Sequence, residues 1–302
     1  MICLKNEIYL RELKWTEQLS AAMQVFLACF GAIWRVLLFL FLPISILESV
    51  LTGRMVSLQL ALQQLLPAAG GLTADSQLAL MEQSVPLLVQ LLSQELLLLA
   101  VTLFLQPVGI VAVAKLVKQH LDGEELQAGK CISEALGCMP AILISGFLFG
   151  VLVLLGGFVI VPGIYFGIAW GLYHFCIALD GKKGWDALRS SAALVRGKWW
   201  KTFGYLFLLG AVGILFNSVF EMLCAFIGNT AAANGLYHFL CYFSVSFAAV
   251  GECLLYLNRK AVAEGEGVFV SGFVAELPAE EVSGTVEEAE ESSAEAEEKE
   301  NH

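Results

Sequence analysis

Charged side chains are scarce in this chain. Asp, Glu, Lys and Arg make up 15% of its 302 residues, where a soluble domain carries about a quarter. That shortage, with 58% hydrophobic residues and a mean hydropathy of +0.75, argues against a water-soluble enzyme. Motifs for chemistry are missing as well. There is no His-Glu-x-x-His, no Cys-x-x-Cys and no zinc-spaced Cys/His cluster, so neither a metal nor a cofactor is expected. A phosphate-cradling glycine loop and a Gly-x-Ser-x-Gly elbow are also absent. The eight cysteines form no disulfide pattern, and most lie in apolar runs, where a thiol behaves as a small hydrophobe. The expected protein is non-enzymatic, and with a net charge of −11 nucleic acid is not an expected partner.

The charge that is present is unevenly spread. Residues 1–260 carry 16 Lys+Arg against 15 Asp+Glu, whereas residues 261–302 carry 13 Glu and one Lys. Two domains follow: a near-neutral apolar body, 1–260, and an acidic tail, 261–302. The tail holds too little hydrophobicity to repay the entropy of folding, so it is expected to be disordered. It is either a solubilising extension or a reversible cover for basic segments of the body. The first twenty residues are too mixed in charge for a signal peptide.

Long uncharged runs fill the body. A film core of about 30 Å takes about 20 apolar helical residues. Met139 to Leu179 is 41 residues without Asp, Glu, Lys or Arg, twice one span, with Val161-Pro162-Gly163 near its middle. This predicts helices over 139–160 and 163–179. The 30 uncharged residues from Met222 to Gly251, broken around Gly228 to Gly235, predict a second hairpin over 201–226 and 236–257. Segments 36–52 and 92–115 complete six spans. The fold class is thus an all-α integral membrane protein. With the N-terminus inside, 15 of the body's 16 Lys and Arg fall on the inner side, and only Arg54 lies in an outer loop, 53–91. Both termini are expected to be cytoplasmic.

Ionisable residues inside spans need a partner or a wet cavity. Glu95 and Glu221 each lie 20 residues from an inner lysine and reach the outer boundary. Glu252, seven residues from Arg259, sits deeper. It is expected to pair with Arg35, to be held protonated, or to belong to a polar pathway. Gly163, Gly167 and Gly171 on the fourth span and Gly146 and Gly150 on the third repeat at four-residue spacing, which lets backbones approach closely in lipid. They are expected to pack spans three and four together or to form a dimer face. Pro43 and Pro107 fall inside spans and each frees a carbonyl.

Residues 129–136, GKCISEAL, and 181–188, GKKGWDAL, share Gly, Lys, an acid, Ala and Leu at an offset of 52, and each precedes a hairpin. Residues 15–34 form a third candidate, so the body reads as three copies of a surface helix followed by a membrane hairpin. The clearest amphipathic segment is 182–201. Trp185, Leu188, Ala192, Val195 and Trp199 make an apolar seam, while Lys182, Lys183, Arg189, Arg196, Lys198 and Lys201 supply a basic side. Such a helix lies in the headgroup layer, where anionic lipid attracts each cation by roughly 1 kcal/mol. The cations alternatively serve only to hold the loop inside.

At 161–204 the sequence is VPGIYFGIAWGLYHFCIALDGKKGWDALRSSAALVRGKWWKTFG. Through Pro162-Gly163, Asp180-Gly181, Ala187-Leu188, Ser191, Leu194, Arg196-Gly197 and Trp199-Trp200 it resembles the membrane domain of bacterial glycerophosphodiester phosphodiesterases and its stand-alone polytopic relatives. The resemblance implies a multi-pass α-helical protein of the bacterial cytoplasmic membrane. It does not bring the phosphodiesterase with it. That chemistry belongs to a separate TIM barrel, which needs at least about 200 residues, and only 45 follow the last expected helix. The expected function is to organise or sense the bilayer, or to scaffold partners, through contact with anionic lipid. The alternative is a solute or lipid transporter or its membrane subunit, with Glu252, Gln90, Gln94, Glu95 and Gln106 as material for a polar path.

Overall fold

The computed structural model describes residues 13–65, 74–157, 160–228 and 230–276. Among them helices are the only regular secondary structure, joined by short turns. In order the helices are α1 (Trp15–Ala28), α2 (Phe30–Val36), α3 (Leu42–Leu65), α4 (Ala74–Ala100), α5 (Gln106–Asp122), α6 (Ala128–Gly137), α7 (Met139–Gly157), α8 (Ile160–Trp170), α9 (Tyr173–Asp180), α10 (Gly184–Val195), α11 (Trp199–Ala225) and α12 (Ala231–Glu276). Six stretches are long and apolar enough to cross a membrane: Phe30–Leu65, Leu80–Asp122, Met139–Gly157, Val161–Asp180, Trp199–Ala225 and Ala232–Gly265. The number expected from hydropathy is therefore observed, and the chain has the make-up of a multi-pass membrane protein.

The first two spans are not simple α-helices. A π turn, Leu37–Phe41, joins α2 to α3, and another, Val101–Leu105, joins α4 to α5. Each lies one turn ahead of a proline. Pro43 has no N–H for the Phe39 carbonyl and Pro107 none for that of Leu103, and each ring crowds the carbonyl it fails to bond. Widening the turn relieves the clash. The next available donors reach back five residues, Leu42 to the Leu37 carbonyl and Gln106 to that of Val101.

These two spans also outrun the expected 36–52 and 92–115. Phe30–Leu65 has 36 residues, about 54 Å of helix at 1.5 Å per residue, against a film core of about 30 Å. The expected outer loop 53–91 is largely helical, being the end of α3 packed against the start of α4. Leu, Gln, Met and Ala over 54–65 and 74–91 favour the helix, and extending one already nucleated needs no second nucleus.

α12 runs through the centre, packing on α11, α3, α1 and α5. Its buried run Cys253–Leu257 meets the buried stretch Val111–Val117 of α5. The fourth span is broken: α8 ends at Trp170 and α9 starts at Tyr173, rather than one helix over 163–179. At the other end α12 continues past residue 260 to Glu276, while residues 277–302 of the expected disordered tail lie outside the described residues.

Candidate functional site

α10 is built to dock. Ala187, Leu188, Ser191 and Val195 share one buried face, and that face lies on α7, α8, α9 and α12. Three hydrogen bonds fix the docking. The Gly184 N–H donates to Ser145 Oγ at 2.9 Å, the Ser191 hydroxyl donates to the Ala169 carbonyl at 2.9 Å, and the Leu172 N–H donates to Ser191 Oγ at 3.2 Å. Ser191 thus supplies the donor and acceptor that the broken backbone between α8 and α9 lacks. Non-helical backbone at this depth is tolerated because protein covers it.

The docking corrects the reading of the apolar seam. Leu188 and Val195 face the protein, not lipid, and Ala192 is half-buried. At 100° per residue, Trp185 lies about 100° round the helix from the centre of the buried face, and it is 53% exposed. Lys183, Arg189 and Arg196 are exposed beside it, Lys201 is exposed one turn into α11, and Lys198 is half-buried. Trp199 does not face outward. Its ring stacks on Tyr165 of α8 with centroids 5.8 Å apart and on Phe203 at 5.4 Å, and its Nε1–H donates to the Tyr165 carbonyl at 3.4 Å. Its neighbour Trp200, which falls outside the 3-and-4 spacing, is the outward ring at 75% exposure.

Lys182 turns toward the body. Its Nζ donates to Ser190 Oγ at 2.8 Å and stands 3.8 Å from Asp180 Oδ2. Asp180, the last residue of α9, also accepts from Tyr256 Oη at 2.7 Å and from Lys260 Nζ at 2.6 Å, both on α12. Its side chain is 10% exposed. The cluster joins the α9–α10 turn to α12 across 76 and 80 residues of sequence. Asp180 entered the sequence reading only within the family resemblance, and no local pattern links it to Tyr256.

The glycines of the third span face two neighbours. A Cβ on Gly146 would stand 2.9 Å from the Leu103 carbonyl oxygen, and one on Gly150 would stand 3.0 Å from the Leu103 side chain. The third span therefore meets the second span through these two glycines, and at Gly146 it meets the fourth as well, since the same Cβ would lie 3.4 Å from Tyr173 Oη. The oxygen that Gly146 faces is the one Pro107 leaves without its helical donor. Gly163 does serve the hairpin, since its Cβ would be 3.0 Å from the Gly157 backbone. Around Gly167 nothing described lies within 4 Å, and Gly171 faces the carbonyl of Gly167 at the helix break.

Among the described residues no ion pair joins Arg35 to Glu252. Arg35 lies on the exposed side of α2 with Trp34, opposite buried Ile33 and Val36, and Glu252 is half-buried on α12. Glu48 of α3, also within a span, is a carboxylate with partners: it accepts from Tyr242 Oη at 2.6 Å and lies 3.6 Å from His238 Nδ1. Of the polar residues offered for a transport path, Gln90 and Glu95 are exposed on α4, and Gln94 and Gln106 are half-buried. On α6, burial and then the neighbouring Glu134 carboxylate push the Cys131 thiol up to about 11, so its thiolate is suppressed at neutral pH.

Residues 21–250 match a domain of unknown function (DUF7847), and a match of that extent makes the chain a member of the family. No curated protein and no solved structure matches the chain.

Proposed function

We propose that this member of the family with that domain of unknown function is a non-enzymatic protein of the bacterial cytoplasmic membrane that organises or senses the bilayer, or scaffolds partners on it, by gripping anionic headgroups with the outward side of α10. One observation carries the reading: α10 is held to the body by its apolar face and hydrogen bonds, yet leaves Trp185, Arg189 and Arg196 outward, with Lys183 before it and Trp200 after it. An amphipathic aromatic ring beside cations suits the headgroup layer. Rigid docking fixes the backbone that carries these groups, so only their side chains are ordered when they meet lipid. The distribution of Lys and Arg supports a cytoplasmic position for both termini. The recurring order of short helix and long hairpin, seen at α1, α6 and α10, supports three repeats of one unit, and the stretch 161–204 supports kinship with the glycerophosphodiester phosphodiesterase membrane domain.

The test is lipid selectivity of the full chain in nanodiscs of mixed phosphatidylcholine and phosphatidylglycerol. At roughly 1 kcal/mol per cation, replacing Lys183, Arg189 and Arg196 together by Gln removes about 3 kcal/mol of attraction, of the order of 100-fold in enrichment of the anionic lipid at low salt. Added salt should erase most of the difference. Equal enrichment around both proteins at low salt refutes the reading. Labelling of Lys182 from outside intact cells refutes the orientation.

A further inference from the structure

A cavity of about 280 Å³ opens between the end of α9, α10 and α12. Its polar lining is Asp180, Lys182, Ser190, Tyr256, Lys260 and Glu264, with Leu194 on its apolar wall. The charges are two ammoniums against two carboxylates, so the lining is formally neutral and presents both signs within a few ångströms. Asp180 is held in place by Tyr256 and Lys260, whereas Glu264 is 69% exposed and touches Lys260 only at 3.9 Å. The volume lies at the small end for ligand sites and suits a headgroup rather than a whole lipid.

We propose that this cavity binds a zwitterionic phosphodiester headgroup ending in a primary ammonium, as in phosphatidylethanolamine. The assignment rests on the reading that α10 lies at headgroup level. A purely anionic headgroup would meet Lys182 and Lys260 but bring its charge beside Asp180 and Glu264 with no cation of its own to offset them. A headgroup of both signs satisfies the lining throughout. Its phosphodiester oxygens accept from Lys182 and Lys260, each of which carries three donors and uses one on Ser190 or Asp180. Its ammonium donates to Glu264. A quaternary ammonium has no N–H for that carboxylate, so the site discriminates between headgroups of identical net charge. Leu194 meets the glycerol end, where the headgroup gives way to acyl chain.

The test uses the full chain in nanodiscs holding equal phosphatidylethanolamine and phosphatidylcholine, with lipid retained after detergent transfer counted by native mass spectrometry. Both lipids are neutral overall, so their ratio does not register the outward cations. Failure of the anionic-lipid reading leaves this ratio untouched, and the reverse also holds. The expected result is one phosphatidylethanolamine retained about tenfold over phosphatidylcholine, the equivalent of one charge-assisted hydrogen bond. Glu264→Ala, which removes the acceptor, should bring the ratio to about one with phosphodiester binding kept, and Lys182→Gln should lower retention of both lipids. Soluble glycerophosphoethanolamine in excess should not displace the lipid, and displacement would reassign the site to a soluble diester. Equal retention of the two lipids by the unaltered protein, or an unchanged ratio in Glu264→Ala, overturns the proposal.

Discussion

Gly146 offers a sharp test of how the second and third spans meet. An Ala Cβ there would stand 2.9 Å from the Leu103 carbonyl oxygen, inside van der Waals contact. The obstacle is backbone, so no rotamer change relieves it, and the backbone in question is the π turn before Pro107. Either α7 or the π turn must move. Overpacking of this kind costs about 1–3 kcal/mol, set against a gain of about 1 kcal/mol for Ala over Gly inside a helix. Gly167 is the internal control. It also lies within a helix of the same hairpin, but nothing described lies within 4 Å of a Cβ there, so Gly167→Ala receives the helix gain alone. Propensity cancels between the two variants. Gly146→Ala is expected to be less stable than Gly167→Ala by about 1–3 kcal/mol. Reversible unfolding in mixed micelles, followed by tryptophan fluorescence, measures the difference. If the two variants agree to within about 0.5 kcal/mol, the ordinary error of such comparisons, close approach to Leu103 is not what Gly146 provides.

Two further outcomes are expected. Ser191→Ala leaves the Ala169 carbonyl and the Leu172 N–H without their buried partner, so stability in the same assay should fall by about 1–3 kcal/mol, with faster hydrogen exchange confined to the α8–α9 break; exchange unchanged there would contradict the clamp. Cys131, raised from 9.0 to about 11 by burial and by Glu134, should, in a variant keeping only that cysteine, react with iodoacetamide at pH 8 about 100-fold more slowly than in the detergent-unfolded chain, since only thiolate attacks. Raising the pH should recover about tenfold per unit until the folded thiol titrates; equal rates at pH 8 would show that the thiol is not buried.

The parts of this fold legible in the sequence are those set by one-dimensional quantities. Six spans follow from the lengths of uncharged runs, and the two prolines mark where a carbonyl loses its donor. What failed to read through depends on angle or partner. Film thickness says how much helix lipid requires, not where helix ends, so α3 and α4 run on through the stretch expected as an outer loop. Four-residue glycine spacing shows that a face is smooth but not which helix lies on it, and Gly146 faces the π turn of the second span as well as Tyr173 of the fourth. The tryptophans show the same limit: a spacing of 3 and 4 selects Trp199 for the seam, but α10 ends at Val195 and Gly197 turns the backbone with φ of +77°. Phase is lost at that turn, so Trp199 stacks inward and Trp200 points out. Glu48 drew no attention inside an apolar run, because the hydroxyl that satisfies it belongs to Tyr242, 194 residues on. The same holds for Asp180, whose ties to Tyr256 and Lys260 exist only because the end of α9 is brought onto α12. Local patterning can therefore find the surface proposed to grip lipid, since its cations and indoles lie along one helix. The pocket proposed to tell one headgroup from another is assembled from three helices, and it becomes visible only once they are packed.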